Sequence, residues 1–170
     1  MMETIKQHWS YQRKMKFLEN QYNWFNYKYF SFMLPQIRLT LETEGKFKGR
    51  FSQEVDLDRK RLIPVAIRID EQVFNDYKLF RDTLVHEMVH FWDSIKNPLP
   101  EKEFDKAKML YEKAFEPYTT DEETKQWLKL YHETINKDGG HTHTFKSICH
   151  ELNEEFSELN LRIRADEAKL

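Results

Sequence analysis

Apolar residues change their spacing along the chain, and each change indicates a new type of element. From residue 3 to residue 32 they recur three or four positions apart, which predicts one long helix that ends before Pro35. Three segments of strand-like alternation follow, namely QIRLTLE, KFKGRFSQEV and LIPVAIRID. Pro64 lies inside the third segment and has no backbone N–H, so we expect this strand to start late or to lie at a sheet edge.

From about Tyr77 the spacing returns to that of a helix, and here apolar residues cover most sides. Two stripes lie side by side, one of Leu84, Met88, Phe91 and Ile95 and the other of Val85, Val89 and Trp92. A helix that is apolar on most sides is a buried helix. Residues 101–116 and 120–136 predict two further helices, and a last helix begins near Thr144. We expect an α+β fold in which a short sheet packs on the buried helix and several helices flank it.

Composition and charge restrict the class of protein. The 170 residues are 39% hydrophobic and 15% aromatic, which is typical of a globular domain with a core. The net charge is −2, but residues 1–61 carry a balance of +5 and the remainder a balance of −7. The basic N-terminal half is a candidate for DNA contact, with Lys46, Lys48, Arg50 and residues 59–61 as a phosphate-facing patch. Ordinary solvated cations are the simpler explanation of the same charge.

Cys149 is the only cysteine, so an intramolecular disulfide is excluded and a metal site must use histidines or carboxylates. The N-terminal stretch MMETIKQHWSYQRKMKF lacks the apolar segment of a signal peptide. No run approaches 18 apolar residues, the length of a membrane-spanning helix. We therefore expect a cytoplasmic protein without a membrane partner.

Two histidines and a glutamate interrupt the buried helix in the stretch TLVHEMVHFW. Burying such groups without partners is costly, so something must satisfy them. His86 and His90 are four residues apart and can offer ring nitrogens to one ion, while Glu87 lies one step round the helix. This is the H-E-x-x-H arrangement of zinc peptidases, in which the glutamate is the general base for a metal-bound water. The alternative is a structural helix whose histidines bond to backbone or carboxylate groups.

A catalytic zinc needs a third protein ligand and keeps its fourth position open for water. One source is a downstream glutamate, and the candidates are Glu112, Glu116 and Glu133. The other source is DGGHTHTFKSICHELN, which offers His141, His143 and His150. Two glycines precede His141 and allow a close approach of the backbone to the metal. Asp93 shares a face with the two helical histidines, but a straight helix cannot easily supply three ligands, so we expect it beside the ligands or in solvent.

The two segments together resemble the SprT-like family of zinc metallopeptidases, to which the DNA–protein crosslink protease Spartan belongs. That family follows H-E-x-x-H with a G-H-G-x-x-F-type segment that opens a helix, and residues 140–145 read GHTHTF here. Upstream, WFNYKYFSFMLPQIRLTL and LIPVAIRIDEQVF are similar to the family's aromatic segment and to the strand before its catalytic helix. The resemblance covers about residues 20–95 and 138–158.

The resemblance implies one zincin-like domain over residues 1–170, with His86, His90 and His141 as ligands of Zn²⁺ and Glu87 as the catalytic base. It implies a zinc metallopeptidase that cleaves protein or peptide substrates, and by analogy substrates associated with DNA. A non-catalytic zinc- or DNA-binding module with the same fold is the alternative. Glu87 argues against that alternative, because a purely structural site has no use for a base beside an open position.

The chain departs from the family pattern in three respects. Thr142 replaces the glycine that follows the third histidine. The interval between His90 and His141 is longer than in the family and predicts a helical insertion at residues 96–137. One cysteine cannot form the cysteine-rich zinc ribbon that many members carry.

Overall fold

The structure, a computed structural model, describes residues 8–43, 45–136 and 140–163. These ranges contain five α-helices, three β-strands and one short 3-10 helix. Their order is α1 (Tyr11–Phe30), β1 (Arg38–Glu42), β2 (Gly49–Asp56), β3 (Arg61–Asp70), the 3-10 helix (Glu71–Asn75), α2 (Tyr77–Lys96), α3 (Glu101–Ala114), α4 (Asp121–Ile135) and α5 (His143–Glu155). The predicted α+β class is confirmed. None of the helices in these ranges has the length and apolarity needed to cross a membrane.

Helix α1 is shorter than predicted at both ends. The Ser10 side chain accepts a hydrogen bond from the Arg13 N–H and caps its start, and Ser31 ends it in a left-handed conformation at φ 51°. Residues 3–7 of the predicted helix lie outside the described residues. The periodic pattern extends too far because Trp9 packs on Phe17, with ring centroids 5.5 Å apart, although its backbone is not helical.

The sheet is mixed, and β3 is its central strand. β1 pairs with β3 in parallel from Arg38 opposite Ala66, whereas β2 pairs with it antiparallel from Gly49 onward. The expectation that the proline would delay this strand or place it at an edge is wrong. Pro64 is tolerated because β1 joins β3 only beyond it, and because the β2 register shifts there, between Ser52 and Gln53.

Helix α2 is the buried helix that the apolar stripes predict. Asp76 caps its start by accepting from the N–H groups of Lys78 and Leu79. Most of the apolar residues in the two stripes are buried, and Ile95 is the clear exception at 42% exposure. The main core joins α2 to α1, to the sheet and to α5, with contributions that include Leu18, Phe25, Ile67, Ile69, Phe145 and Leu152.

Helices α3 and α4 pack on each other around a second, smaller apolar cluster. That cluster consists of Ala107, Leu110 and Tyr131, with Leu57, Trp127 and Ile135 packed against it. Lys60, at the turn between β2 and β3, binds Glu101 at 2.7 Å and Asp105 at 3.1 Å. The β2–β3 hairpin is therefore tied to α3. The helices at 101–116 and 120–136 form within about two residues of their predicted bounds, while the status of 96–137 as an insertion stays a prediction.

Candidate metal centre

Three histidines from separate parts of the chain meet beside the sheet. His86 and His90 come from α2, and His141 comes from the turn that precedes α5. One ring nitrogen from each lies within 4.8 Å of the other two. The ring centroids are 4.9 Å apart for His86 and His90, 4.9 Å for His90 and His141, and 5.4 Å for His86 and His141. The three predicted ligands are thus close enough together to bind one metal ion.

Backbone groups orient two of these rings. The Nδ1 atom of His86 lies 3.0 Å from the carbonyl oxygen of Arg162. Donation of an Nδ1–H to that carbonyl leaves the Nε2 lone pair available to a metal. His90 hydrogen-bonds in the same manner to the backbone of Gly140. Both contacts are of the kind that fixes the tautomer and direction of metal-binding histidines.

The histidines of α2 are held in their neutral form. Burial, followed by the neighbouring imidazoles and Arg162, lowers the pKa of His86 well below its ordinary value. Burial, with His141 and Arg162 as further causes, lowers the pKa of His90 to about 3. A neutral imidazole is the form that binds metal, so no proton has to be displaced from these rings at neutral pH.

Gly140 and Phe145 shape the space around the His90 ring. Gly140 has φ +82°, and a Cβ there would lie 3.3 Å from Asn136 Oδ1 and 3.4 Å from His90 Cε1. Phe145 is fully buried and stacks on His90 with a centroid distance of 4.1 Å and an interplanar angle of 18°. It also meets the His141 ring edge-on at 4.8 Å. The glycine allows the close approach, and the phenylalanine closes one side of the centre with an apolar wall.

Thr142 links the turn at His141 to α2. Its hydroxyl donates to Asp93 Oδ2 at 2.9 Å and accepts from the Phe145 N–H at 3.1 Å, which caps α5. Asp93 is buried, and it lies beside the ligands as expected. The Thr142 hydroxyl thus connects the turn that carries His141 to the helix that carries the other two histidines.

Glu87 is buried against β2. The Phe51 N–H donates to its carboxylate, and Arg162 Nη2 lies 3.9 Å from Oε1. Gly49 makes this packing feasible, since a Cβ there would lie 3.1 Å from Glu87 Cγ and 2.9 Å from Thr83 Cγ2. Burial raises the pKa of Glu87 to about 7 against the opposing effects of Arg162 and Phe51. A carboxyl group with such a pKa can accept and release a proton near neutral pH.

The centre opens on a cleft of about 590 Å³. His86, Glu87, His90 and His141 line one side of it, and β2 lines another with Gly49, Arg50, Phe51 and Gln53. Residues 98–100 and the side chains of Phe104 and Ile135 line the side formed by the α2–α3 connection and the two following helices. The volume lies within the range of small-molecule and cofactor sites, roughly 300–1,000 Å³.

Several residues considered on sequence grounds lie elsewhere. The glutamates Glu112, Glu116 and Glu133 are exposed on or near α3 and α4, and His143 and His150 are exposed on α5. Within the predicted basic patch, Lys60 binds two α3 carboxylates, and Arg59 and Arg61 both lie within 4 Å of Asp56. Acidic neighbours therefore compensate much of the positive charge at the hairpin turn.

Sequence reasoning missed the roles of Gly49 and Arg162. A glycine inside a strand pattern indicates a close approach of another element, so the close packing of another element at Gly49 could have been predicted. Arg162 contacts His86 through its backbone carbonyl, which every residue possesses, and no side-chain pattern reveals such a contact.

Comparison of the chain with protein-family models, with curated proteins and with solved structures gives no match. The SprT-like resemblance therefore stays a prediction, and function has to be argued from the site.

Proposed function

We propose that the protein is a zinc-dependent metallopeptidase of zincin-like fold, in which His86, His90 and His141 bind Zn²⁺ and Glu87 is the general base. One observation carries the proposal, namely that a buried glutamate, next to His86 in the chain, lines the same cleft as a cluster of three histidines. A structural helix would need neither the third histidine nor the cleft.

The donor set fits zinc. Three imidazole nitrogens form one of the ligand sets of catalytic zinc, in which the fourth position is left for water or substrate. Imidazoles also suit copper, iron and nickel, but the neighbouring base favours an ion that activates water rather than one that transfers electrons. The mixed sheet beside α2 and the α5 turn beside its histidines support the zincin-like arrangement.

The residues divide the work of amide hydrolysis among them. When bound, zinc supplies Lewis acidity, which lowers the pKa of a coordinated water to about 7 and polarises the substrate carbonyl. Glu87 accepts the proton of the attacking water and then delivers it to the leaving amine. The Phe51 N–H and the Arg162 guanidinium hold the Glu87 carboxylate for both transfers.

An extended polypeptide is the substrate that fits the cleft. Among the described residues β2 pairs only with β3, so it is an edge strand, and its residues Gly49, Arg50, Phe51 and Gln53 line the cleft. An extended segment can add to such an edge through main-chain hydrogen bonds, which recognise any peptide in suitable conformation. Association of the substrates with DNA is supported only by the SprT-like resemblance.

The test compares wild-type protein with Glu87→Gln, which keeps the shape of the side chain and removes its basicity. We expect both to bind one zinc per chain and to unfold at the same temperature, while cleavage of an unfolded protein falls by about 10²–10⁴-fold in the variant. His141→Ala should lose zinc, whereas Glu133→Ala, an exposed glutamate, should retain it.

Equal cleavage by wild type and Glu87→Gln would contradict the proposal. Stoichiometric zinc without any cleavage of unfolded or DNA-bound protein would instead favour the non-catalytic binding module.

A further inference from the structure

The chain returns to the metal centre after α5 ends. Residues 158–163, called here the C-terminal segment, run alongside the N-terminal half of α2. Their contacts follow the order of residues along α2. The Arg81 guanidinium donates to the Glu158 carbonyl, and the Asn160 N–H donates to the Asp82 carboxylate. Arg162 then contacts Thr83, His86 and Glu87. The C-terminal segment therefore contacts successive residues of the helix that carries two proposed ligands and the proposed base.

The backbone next to Arg162 is firmly anchored. Leu159 and Leu161 are buried in the main core. The Asn153 side chain brackets Leu161, accepting from its N–H at 2.7 Å and donating to its carbonyl at 3.3 Å. Because the preceding residue is held on both sides, the position of the Arg162 carbonyl is set by α5 rather than by the centre itself.

Arg162 contacts the centre through two different groups. Its backbone carbonyl lies 3.0 Å from His86 Nδ1. Its guanidinium lies 3.4 Å from Thr83 Oγ1 through Nη1 and 3.9 Å from Glu87 Oε1 through Nη2. The side chain is only 10% exposed, so solvent screens its interaction with Glu87 weakly.

We propose that Arg162 is a positioning residue of this centre, whose carbonyl directs His86 toward the metal and whose guanidinium holds Glu87 for proton transfer. This inference rests on the proposed metallopeptidase function. The first contact aims the Nε2 lone pair, because the Nδ1–H is committed to the carbonyl. The second adds the attraction of a buried cation to the Phe51 N–H hydrogen bond, so that two groups fix the position of the Glu87 carboxylate.

The two contacts can be separated by experiment because only one depends on the side chain. Arg162→Gln removes the guanidinium and keeps the carbonyl, so we expect zinc affinity to stay near that of wild type while kcat falls by about 10–100-fold at unchanged KM. Arg162→Lys keeps the charge without the planar fork and should recover part of the loss. Arg38→Gln, which removes an exposed arginine at the start of β1, is the matched control and should equal wild type.

The carbonyl contact is tested through its anchor. Asn153→Ala loosens Leu161, so we expect zinc affinity, measured by competition with a chelator, to weaken by about 10-fold or more. The visible spectrum of the Co²⁺-substituted protein should change in Asn153→Ala and remain that of wild type in Arg162→Gln, which is a readout independent of hydrolysis.

An active wild type whose kcat is matched by Arg162→Gln would overturn the role of the guanidinium. Unchanged metal affinity and Co²⁺ spectrum in Asn153→Ala would overturn the role of the carbonyl. Equal losses of kcat in Arg162→Lys and Arg162→Gln, in parallel with equal losses of thermal stability, would reduce Arg162 to a packing residue. A wild type that binds no zinc or cleaves nothing would instead defeat the proposed function.

Discussion

Acidification of the metal-free protein should destabilise its fold through the histidines of α2. The pKa of His90 is lowered from its ordinary value of 6.5 to about 3 in the folded state, and the pKa of His86 is also lowered well below 6.5. The stability that these groups contribute is therefore present above pH 6.5 and is lost as the pH falls toward the folded-state values. Glu87 acts in the opposite sense, because a pKa raised to about 7 favours its protonated form in the fold.

The magnitude follows from the protons bound in each state. At pH 5.5 an unfolded chain binds about 0.9 proton on each of His86 and His90, whereas the folded chain binds about one proton on Glu87. The unfolded state thus holds about one proton more, which corresponds to a loss of about 1 kcal/mol per pH unit. Asp82 and Asp93, whose pKa values are raised by burial, reduce this slope in wild type.

Comparison with His90→Gln isolates the histidine, because the aspartates are common to both proteins. Urea unfolding of chelator-treated protein at pH 6.5, 6.0, 5.5 and 5.0 supplies the free energy of unfolding at each pH. We expect the wild-type slope to exceed that of His90→Gln by about 1 kcal/mol per pH unit. His132→Gln, which replaces an exposed histidine of α4, should retain the wild-type slope. Equal slopes in wild type and His90→Gln would refute the view that the fold keeps this ring neutral by burial.

Three substitutions around the centre have distinct expected effects. Gly49→Ala places a Cβ 2.9 Å from Thr83 Cγ2 and should lower the free energy of unfolding, measured in urea, by about 1–3 kcal/mol. An unchanged free energy of unfolding would mean that β2 can move away from α2. Thr142→Val removes the hydroxyl that bonds buried Asp93 and should cost about 1–3 kcal/mol in the same assay, and Thr142→Ser should recover most of it. Phe145→Leu removes the ring stacked on His90, a proposed ligand, and should weaken zinc binding by about 10-fold in chelator competition, which unchanged affinity would contradict.

The parts of the fold that sequence predicts well are those with a local cause. The sequence predicts helix α2 because its apolar residues repeat at helical spacing. It also predicts that His86 and His90 lie close together, because they share one face of that helix. The sequence does not predict the central position of β3, because strand order depends on which strands meet in space. Pro64 also led to the wrong expectation of an edge strand.

The same distinction applies to the site. The turn at His141 could be predicted because glycine and histidine stand together at a helix start. The contact of Arg162 with His86 could not, because a backbone carbonyl has no sequence signature and its partner lies in a distant element. The hydrogen bond from the Thr142 hydroxyl to Asp93 could not be predicted either, because the burial of Asp93 depends on how α5 packs on α2.

The order in which these pieces leave the ribosome has a consequence for the newly made protein. His86 and His90 emerge early, whereas the turn at His141 and the carbonyl of Arg162 follow only after α3 and α4. Synthesis runs from the N-terminus onward, so the third histidine arrives after the histidines of α2 and the residues of α3 and α4. At the proposed centre, binding of one ion by all three histidines therefore has to wait until α3, α4 and the turn at His141 have been synthesised.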